Sequence, residues 1–340
     1  MSAPTPVRAT WWRALPNGQA ACDLCPIGCR LRPGQEGPCA TRANRDGRMV
    51  PLHYGRVVSG GVDPIEKKPL YHFHPGRSIL SVAAPGCNLH CLFCQNWSIS
   101  QDGTARTSAA TPDDLVRLAR DEGSVGIAYT YSEPLVWYEF VRDTAIAVHE
   151  AGLRNVLVTN GFLNPAPLAG LLPWIDAANI DLKSMDDAFY RKVCKARLGP
   201  VLAAIRQFHA AGVHIELTNL VIPGHNDSDD ELRRLVDFVA DLDPAIPLHF
   251  SGYHPAWRMD APPTPRETLL RAREIASERL DWVYVGNVAT VAGRDSLCPG
   301  CGALLVERRG FHGVSRLAAG PDGPACPDCG RGVPFTVDGA

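Results

Sequence analysis

The sequence predicts an α/β protein built on a parallel sheet, and three observations carry that expectation. From about residue 78 to residue 287, short apolar or β-branched runs alternate with longer helical stretches. Strands alternating with helices demand parallel pairing through right-handed crossovers, and six or more such units curl into a barrel or partial barrel. Polar and cysteine residues gather just after successive strands, where the chemistry of such folds sits. An open doubly wound sheet has the same alternation, and periodicity alone does not separate the two.

Taken in order, the candidate strands are "SILSVAA" (78–84), "GIAYTY" (126–131), "NVLVT" (155–159), "AANIDL" (177–182), "HIELTNLVI" (214–222), "LHFSGY" (248–253) and "WVYVG" (282–286). The first six run into "PGCNLHCLFC", "SEP", "NGF", "KSM", "PGHND" and "HPAW", which together make one polar rim. Helices are expected over 112–122, 134–151, 186–211, 229–242 and 264–279. Asp186 is placed to cap the third of these, and Ser228 with Glu231 forms a capping box for the fourth. The flanks, 1–55 and about 296–340, break the alternation and carry their own cysteines. The expected division is therefore a metal-binding segment at 1–55, the barrel at 56–295 and a ribbon-like segment at 296–340.

At 340 residues the chain can bury an ample core, and 45% apolar content excludes disorder and a small stapled scaffold. The net charge of −2 offers no field to draw the protein onto nucleic acid or an anionic membrane, so neither is an expected partner. The start lacks the charged and apolar regions of a signal peptide, and no run approaches about 18 consecutive apolar residues, so a cytoplasmic location is expected. There the twelve cysteines are reduced, and their clustering points to metal ligation rather than disulfides.

Cys87, Cys91 and Cys94 follow C-x3-C-x2-C with no fourth cysteine nearby. Three thiolates on one loop can wrap three corners of an iron–sulfur cube and leave one iron open to a substrate or cofactor. The spacing alone also admits reduced loop thiols, or a zinc ion completed by His90. Cys298, Cys301, Cys326 and Cys329 form two "CPxCG" knuckles 24 residues apart, the pattern of a four-cysteine zinc ribbon that rubredoxin-like iron would also satisfy. Cys22, Cys25, Cys29 and Cys39 follow C-x2-C-x3-C-x9-C, a metal set for which zinc and a second iron–sulfur cluster both remain open. Asp181 and Lys183 alternate with apolar neighbours and so face one side of their strand.

"CNLHCLFCQN" resembles the cysteine signature of the radical S-adenosylmethionine (radical SAM) superfamily, with Phe93 as its aromatic residue. "AYTYSEP", "VTNGF", "NIDLKSM" and "VIPGHND" resemble successive strand ends of the pyruvate formate-lyase activating enzyme branch. Through "DPIEKKPLYHFHPG" (63–76), "CQNWSISQ" and both terminal cysteine sets, nearly everything from 22 to 330 is similar to the AmmeMemoRadiSam system radical SAM proteins. The resemblance implies a partial (β/α)6 TIM-like radical SAM barrel with small Cys-rich metal-binding segments at both termini. It implies a [4Fe–4S] cluster on Cys87, Cys91 and Cys94 that binds S-adenosylmethionine at its open iron. One-electron reduction then releases a 5′-deoxyadenosyl radical that takes hydrogen from a substrate.

The same resemblance places Glu133 by the amino group of the cofactor's methionine moiety, although the glycines that relatives carry there are absent. It places Asp181 and Lys183 by that moiety and His254 near the adenosine, with Lys183 and His254 as the catalytic candidates. Thr159 and Asn160, at a strand end, are candidates for the ribose or carboxylate. Structural alternatives stand beside these: Ser132 as a helix cap, Asn160-Gly161 as a plain turn, Asp181–Lys183 as an ion pair, and "DPIEKKP" as a solvated loop. Implied partners are a reducing donor such as flavodoxin or ferredoxin, and Memo-like and other proteins of the AmmeMemoRadiSam system. The expected activity is that of a radical SAM oxidoreductase acting on a small molecule. A glycyl-radical activase and a non-catalytic iron–sulfur carrier or scaffold are the rivals.

Overall fold

The computed structural model describes residues 8–101 and 105–337. The outermost residues of both terminal segments, including part of the start read for a signal peptide, lie outside the described residues. An eight-stranded sheet runs in chain order: β1 (Ser59–Pro64), β2 (Ser78–Ala83), β3 (Gly126–Tyr129), β4 (Arg154–Thr159), β5 (Ala177–Asp181), β6 (His214–Val221), β7 (Leu248–Gly252) and β8 (Val283–Gly286). β2 to β8 are parallel, and β1 pairs antiparallel with β2 from Ser59↔Ala83 to Pro64↔Ser78. Six strand–helix units followed by β8 make a barrel left unpaired between β1 and β8.

All seven parallel strands coincide with the apolar runs of the sequence, because a strand buried on both faces must be continuously apolar. The crossover helices are α1 (Pro112–Asp121), α2 (Tyr138–Glu150), α3 (Pro165–Leu171), α4 (Leu198–Ala210), α5 (Asp229–Leu242) and α6 (Arg266–Ser277). α1 starts with Pro112 behind a Thr111–Asp114 capping box. The helix expected over 186–211 is broken: a short turn at Asp187–Phe189 runs into a π turn at Tyr190–Cys194, Lys195 takes a left-handed φ of 60°, and α4 begins afresh. Pro200 stands in the first turn of α4, where its missing N–H costs nothing, and would interrupt any helix continuing from upstream. Asp186 caps the short turn, accepting from the N–H of Ala188 at 2.8 Å. Ser228 accepts from the N–H of Glu231, but Glu231 does not reciprocate: its carboxylate takes the Ser184 hydroxyl and the Met185 N–H after β5. The box is therefore half of one, and its acid ties α5 to the neighbouring strand end.

The amino-terminal segment forms a small antiparallel sheet (Trp12–Ala14, Ala20–Cys22, Arg30–Leu31) and a hairpin (Arg42–Arg45 with Arg48–Pro51). Its buried Ala20, Leu24, Leu31 and Met49 belong to the same hydrophobic core as the barrel. Arg42, buried, pairs with the equally buried Glu139 of α2, which also accepts both Thr10 donors at 2.8 and 2.9 Å.

The carboxy-terminal segment (strands Ser296–Leu297, Leu304–Arg309 and His312–Ser315, with a hairpin at Ala318–Gly320 and Gly323–Ala325) packs against the amino-terminal ends of the barrel strands. Leu305, Val306 and Phe335 join Tyr71, Trp282 and Tyr284 in a second apolar cluster. Arg308 lies over the Tyr71 ring at 3.9 Å and donates to the Tyr71 carbonyl and the Ser296 hydroxyl. His72 and His74 belong here: His72 stacks on Phe335, and the His74 N–H donates to the Thr336 carbonyl at 2.7 Å.

Replacing Arg42 with Met strands the Glu139 carboxylate in the core, so equilibrium urea unfolding of the metal-free chain should record a loss of roughly 3–5 kcal/mol. The double variant Arg42→Met/Glu139→Leu removes both charges and should recover much of it, the mark of an ion pair rather than a packing defect.

Candidate active site and metal centres

β2 ends against the loop that carries Cys87, Cys91 and Cys94. Two neighbours pin that loop: His90 and Leu92 donate to the carbonyls of Cys194 and Val193, at 3.0 Å each, and Arg258 donates to the Leu92 carbonyl at 2.9 Å. The His90 ring is held by Gln101, Nδ1 to Oε1 at 2.6 Å. Sulfur atoms are already solvated by the chain, Cys87 Sγ by the Leu89 N–H at 3.3 Å and Cys94 Sγ by the Ser100 hydroxyl at 3.1 Å. The three cysteines line a cavity of about 340 Å³ at the carboxy-terminal ends of the strands, within the size range of small-molecule sites.

Glu133, Thr159, Asn160, Asp181 and Lys183 line the same cavity, contributed by the ends of β3, β4 and β5. Glu133 ties two of these ends together, accepting from the Thr159 hydroxyl at 2.6 Å and the Asn160 N–H at 2.8 Å. It also caps the turn that follows, accepting from the Leu135 N–H, so the cap is Glu133 and not Ser132, whose hydroxyl donates to the Ala84 carbonyl. Asn160 turns its amide toward the cysteine loop, 3.6 Å from Cys87 Sγ and 3.0 Å from Asn88 Oδ1. Lys183 Nζ meets Asp181 Oδ2 at 2.8 Å and lies 5.7 Å from the centre of the Phe93 ring. His254 is not among the lining residues: it is exposed on the rim, with Nε2 3.3 Å from the Asn287 carbonyl.

Burial raises the Glu133 carboxyl to about 7, against the pull of Thr159, Asn160 and Leu135. Burial also pushes the Cys87 thiol up, with the Glu133 charge adding to it. Cys91 is lowered instead, by a hydrogen bond with the Cys194 thiol and, against burial, by the Lys183 charge. Burial disfavours the Lys183 ammonium, yet Asp181 and the Cys91 sulfur keep it charged well above the ordinary range. Cys194 is thus the buried neighbour of Cys91.

Sequence reasoning missed several residues here. Asn88 is fully buried between Asn160 and the Phe162 carbonyl, and lies inside the cysteine motif itself. The "DPIEKKP" stretch is not a solvated loop: Glu66 and Lys68 are buried, Asp63 accepts from Lys67 at 2.8 Å and Lys68 at 2.6 Å, and Lys67 reaches the cavity wall. Its partner Tyr131 holds a φ of 67° and donates to Asp63, a pairing across 68 residues that local pattern cannot display.

At the carboxy terminus, all four sulfurs of Cys298, Cys301, Cys326 and Cys329 lie within 4.8 Å of one another, with pairs at 3.6 and 3.7 Å. Gly302 and Gly330, at φ of 77° and 75°, close the two knuckles by donating to the carbonyls of Cys298 and Cys326. Such a set fits one tetrahedral metal ion. Cys22, Cys25 and Cys29 lie at the turn between Ala20–Cys22 and Arg30–Leu31, with Cys39 in the loop that follows, and burial, followed by the charges of the other thiols, pushes Cys25 up to about 12 and Cys29 to about 11. Among the described residues no helix is long and apolar enough to cross a membrane.

Residues 81–239 match the model of the Radical SAM superfamily. Over 309 residues the chain is 44% identical to "Uncharacterized protein MJ0808" of Methanocaldococcus jannaschii, spanning 89% of this chain and 92% of that one. It is 27% identical to the pyruvate formate-lyase 1-activating enzyme of Escherichia coli K12 over half of this chain and 71% of that enzyme. To the benzylsuccinate synthase activating enzyme of Thauera aromatica it is 24% identical, covering 63% and 66% of the two chains.

The raised Glu133 carboxyl gives a sign to the pH dependence of the metal-free chain. The folded protein keeps a proton that the unfolded chain loses above about 4.5, so stability falls as pH rises toward 7 by about 3 kcal/mol. In Glu133→Gln that fall should disappear, leaving a flatter profile in urea titrations from pH 4.5 to 8.

Proposed function

Because the chain belongs to the radical SAM superfamily, we propose that the cavity under the Cys87 loop is the site where a [4Fe–4S] cluster and S-adenosylmethionine bind, and that the enzyme is an oxidoreductase. The observation that carries this reading is the meeting, in one cavity, of three loop thiols with polar side chains from three parallel strand ends. The donor set fits the cluster: three soft ligands on one loop, no three of them close enough for a single ion, and an open space beside them. The chemistry that cluster and cofactor supply is one-electron cleavage of the sulfonium and hydrogen-atom abstraction.

The chain's own residues bind, orient and exclude water. Cys87, Cys91 and Cys94 hold the cluster, with Asn160, Leu89 and Ser100 donating toward its sulfurs. Hydrogen bonds of this kind favour the reduced cluster by offsetting its added negative charge. Lys183, kept charged by Asp181, is a cation for the cofactor's carboxylate, and the free edge of Asp181 is an acceptor for its ammonium. Glu133 and Thr159 fix the wall that Asn160 presents. His254, on the rim, is given no part.

The substrate we favour is a small molecule. Lys67 adds a second cation to the wall, and two cysteine-rich terminal segments accompany the barrel. The similarity to enzymes named for activating pyruvate formate-lyase and benzylsuccinate synthase supports glycyl-radical activation as the second reading. The finer placement among the AmmeMemoRadiSam system proteins, with Memo-like partners and a flavodoxin- or ferredoxin-type donor, rests on the motifs "DPIEKKPLYHFHPG" and "CPGCG". Zinc is the ion we assign to the carboxy-terminal set, where it is structural because four thiolates leave no open position.

In anaerobically reconstituted, dithionite-reduced protein, S-adenosylmethionine should shift the electron paramagnetic resonance signal of the cluster, and 5′-deoxyadenosine should accumulate. An unaltered signal with no cleavage product would count for the carrier reading. Lys183→Met should weaken S-adenosylmethionine binding by about tenfold or more, the loss of one charge-assisted contact, while iron content stays at the wild-type level.

A further inference from the structure

The spacing of the sulfurs separates the three cysteine sets. A tetrahedral ion with bonds of about 2.3 Å to sulfur holds its ligands roughly 3.8 Å apart, and the carboxy-terminal set, at 3.6 and 3.7 Å, is drawn in to that distance. Neither of the other sets has three thiols within 4.8 Å of one another. In the Cys87 set that wider stance is the one expected of ligands at the corners of a cube. The amino-terminal set shares the stance and adds a fourth ligand.

Those four cysteines are nevertheless near neighbours. Cys22 and Cys29 are paired where Ala20–Cys22 turns into Arg30–Leu31, Cys22 N–H to the Cys29 carbonyl at 2.8 Å, and Cys25 lies in that turn, its carbonyl accepting from the Gly28 N–H at 3.1 Å. Cys39 arrives from the next loop, its Sγ 3.1 Å from the Thr41 hydroxyl and close against Gly37. Electrostatic interaction links every pair of the four thiols. Cys22 and Cys25 are buried in the barrel's own core, and the buried Arg42 guanidinium directs Nη1 at Cys22 Sγ, 3.8 Å away. A cation donating to sulfur offsets the net negative charge of a four-thiolate cluster.

This set also touches the first. Gly86, the residue before Cys87, has a φ of 100°, and a side chain there would meet the Cys39 carbonyl at 2.3 Å and the Thr41 methyl at 2.7 Å. Backbone packs on backbone between the two cysteine loops, which only glycine permits. We propose that Cys22, Cys25, Cys29 and Cys39 hold a second [4Fe–4S] cluster, fully ligated by protein and seated beside the first across the Gly86–Cys39 contact. The inference rests on the reading of the Cys87 set only as a calibration of spacing.

The test is a metal count on the full chain, reconstituted anaerobically with iron and sulfide and freed of loose iron by chelation and gel filtration. Two cubes and one closed ion correspond to about eight irons, eight labile sulfides and one zinc per chain. About four irons with two zincs would overturn the proposal. Cys87→Ala/Cys91→Ala/Cys94→Ala should keep about four irons and a dithionite-reducible paramagnetic signal indifferent to S-adenosylmethionine; a variant without iron–sulfur absorption would also overturn it. Cys25→Ala/Cys29→Ala should keep the responsive signal alone, and if it fails to fold, the wild-type count and the triple variant decide. Should the triple variant keep its cluster while the wild type makes no 5′-deoxyadenosine, the second cluster stands and the reading of the first falls.

Discussion

One buried carboxylate, Glu216 on β6, decides which end of the barrel is open. It has no access to water and accepts three donors: the His72 N–H at 2.7 Å, His214 Nε2 at 3.1 Å and His249 Nε2 at 2.6 Å. Burial works against its charge, and the two histidines of the sheet more than offset it, so the carboxyl stays well below the usual range. An ionised group in such a place is tolerated only where every lone pair is met, and meeting them requires the 69–76 chain to cross the barrel floor. Once there, His72, which burial holds neutral with a pKa of about 3, bonds the Tyr284 hydroxyl and offers its face to Phe335. The carboxy-terminal segment is thereby fastened under the strands, and Arg308 completes the floor by donating to the Tyr71 carbonyl.

With the floor closed, the polar ends of the strands at the opposite mouth face a cavity rather than a plug. The chain still satisfies them, and does so laterally. Glu133 on one strand end fixes Thr159 and Asn160 on the next, Glu231 on a helix fixes Ser184 and Met185 after the third, and the π turn at Tyr190–Cys194 pins the cysteine loop. Polar side chains of the cavity wall are thus held by neighbours from adjoining strand ends and helices. Such support is what keeps a reacting centre positioned without rearrangement when charge develops in it.

What could be read from the sequence divides along the same line. The parallel strands, the two knuckles and the Cys87 loop announce themselves because their signals are local: apolar runs, C-x2-C spacing with a following glycine, three thiols in eight positions. β1 does not, since "SGGVDP" is an edge strand with neither alternation nor an apolar run, and it forms only because β2 offers an unpaired side. The burial of Lys68 depends on Asp63 and Tyr131, and that of His72 on Glu216, 144 residues away. A charged motif whose partners lie so far along the chain has the composition of a solvated loop. The place of Cys194 is hidden for the same reason: the helix expected over 186–211 is a π turn there, and its neighbour Cys91 comes from another strand end.

The amino-terminal segment gives the sharpest case of function depending on contacts that no motif contains. Its cysteine spacing is local and says nothing of where the segment sits. Four contacts join it to the cavity: the Arg42–Glu139 pair inside the core, Asn164 held between the backbones of Asp23 and Leu24, the shared apolar core, and Gly86 against Cys39. Asn164 lies four residues beyond Asn160, and Gly86 immediately precedes Cys87, so the segment holds the chain on both sides of the cavity's polar wall. Order in that wall is then coupled to order in the segment, because neither loop can shift without breaking backbone contacts to the other. A shift of the amino-terminal segment therefore bears on the positions of Asn160 and Cys87 as well as on its own surroundings.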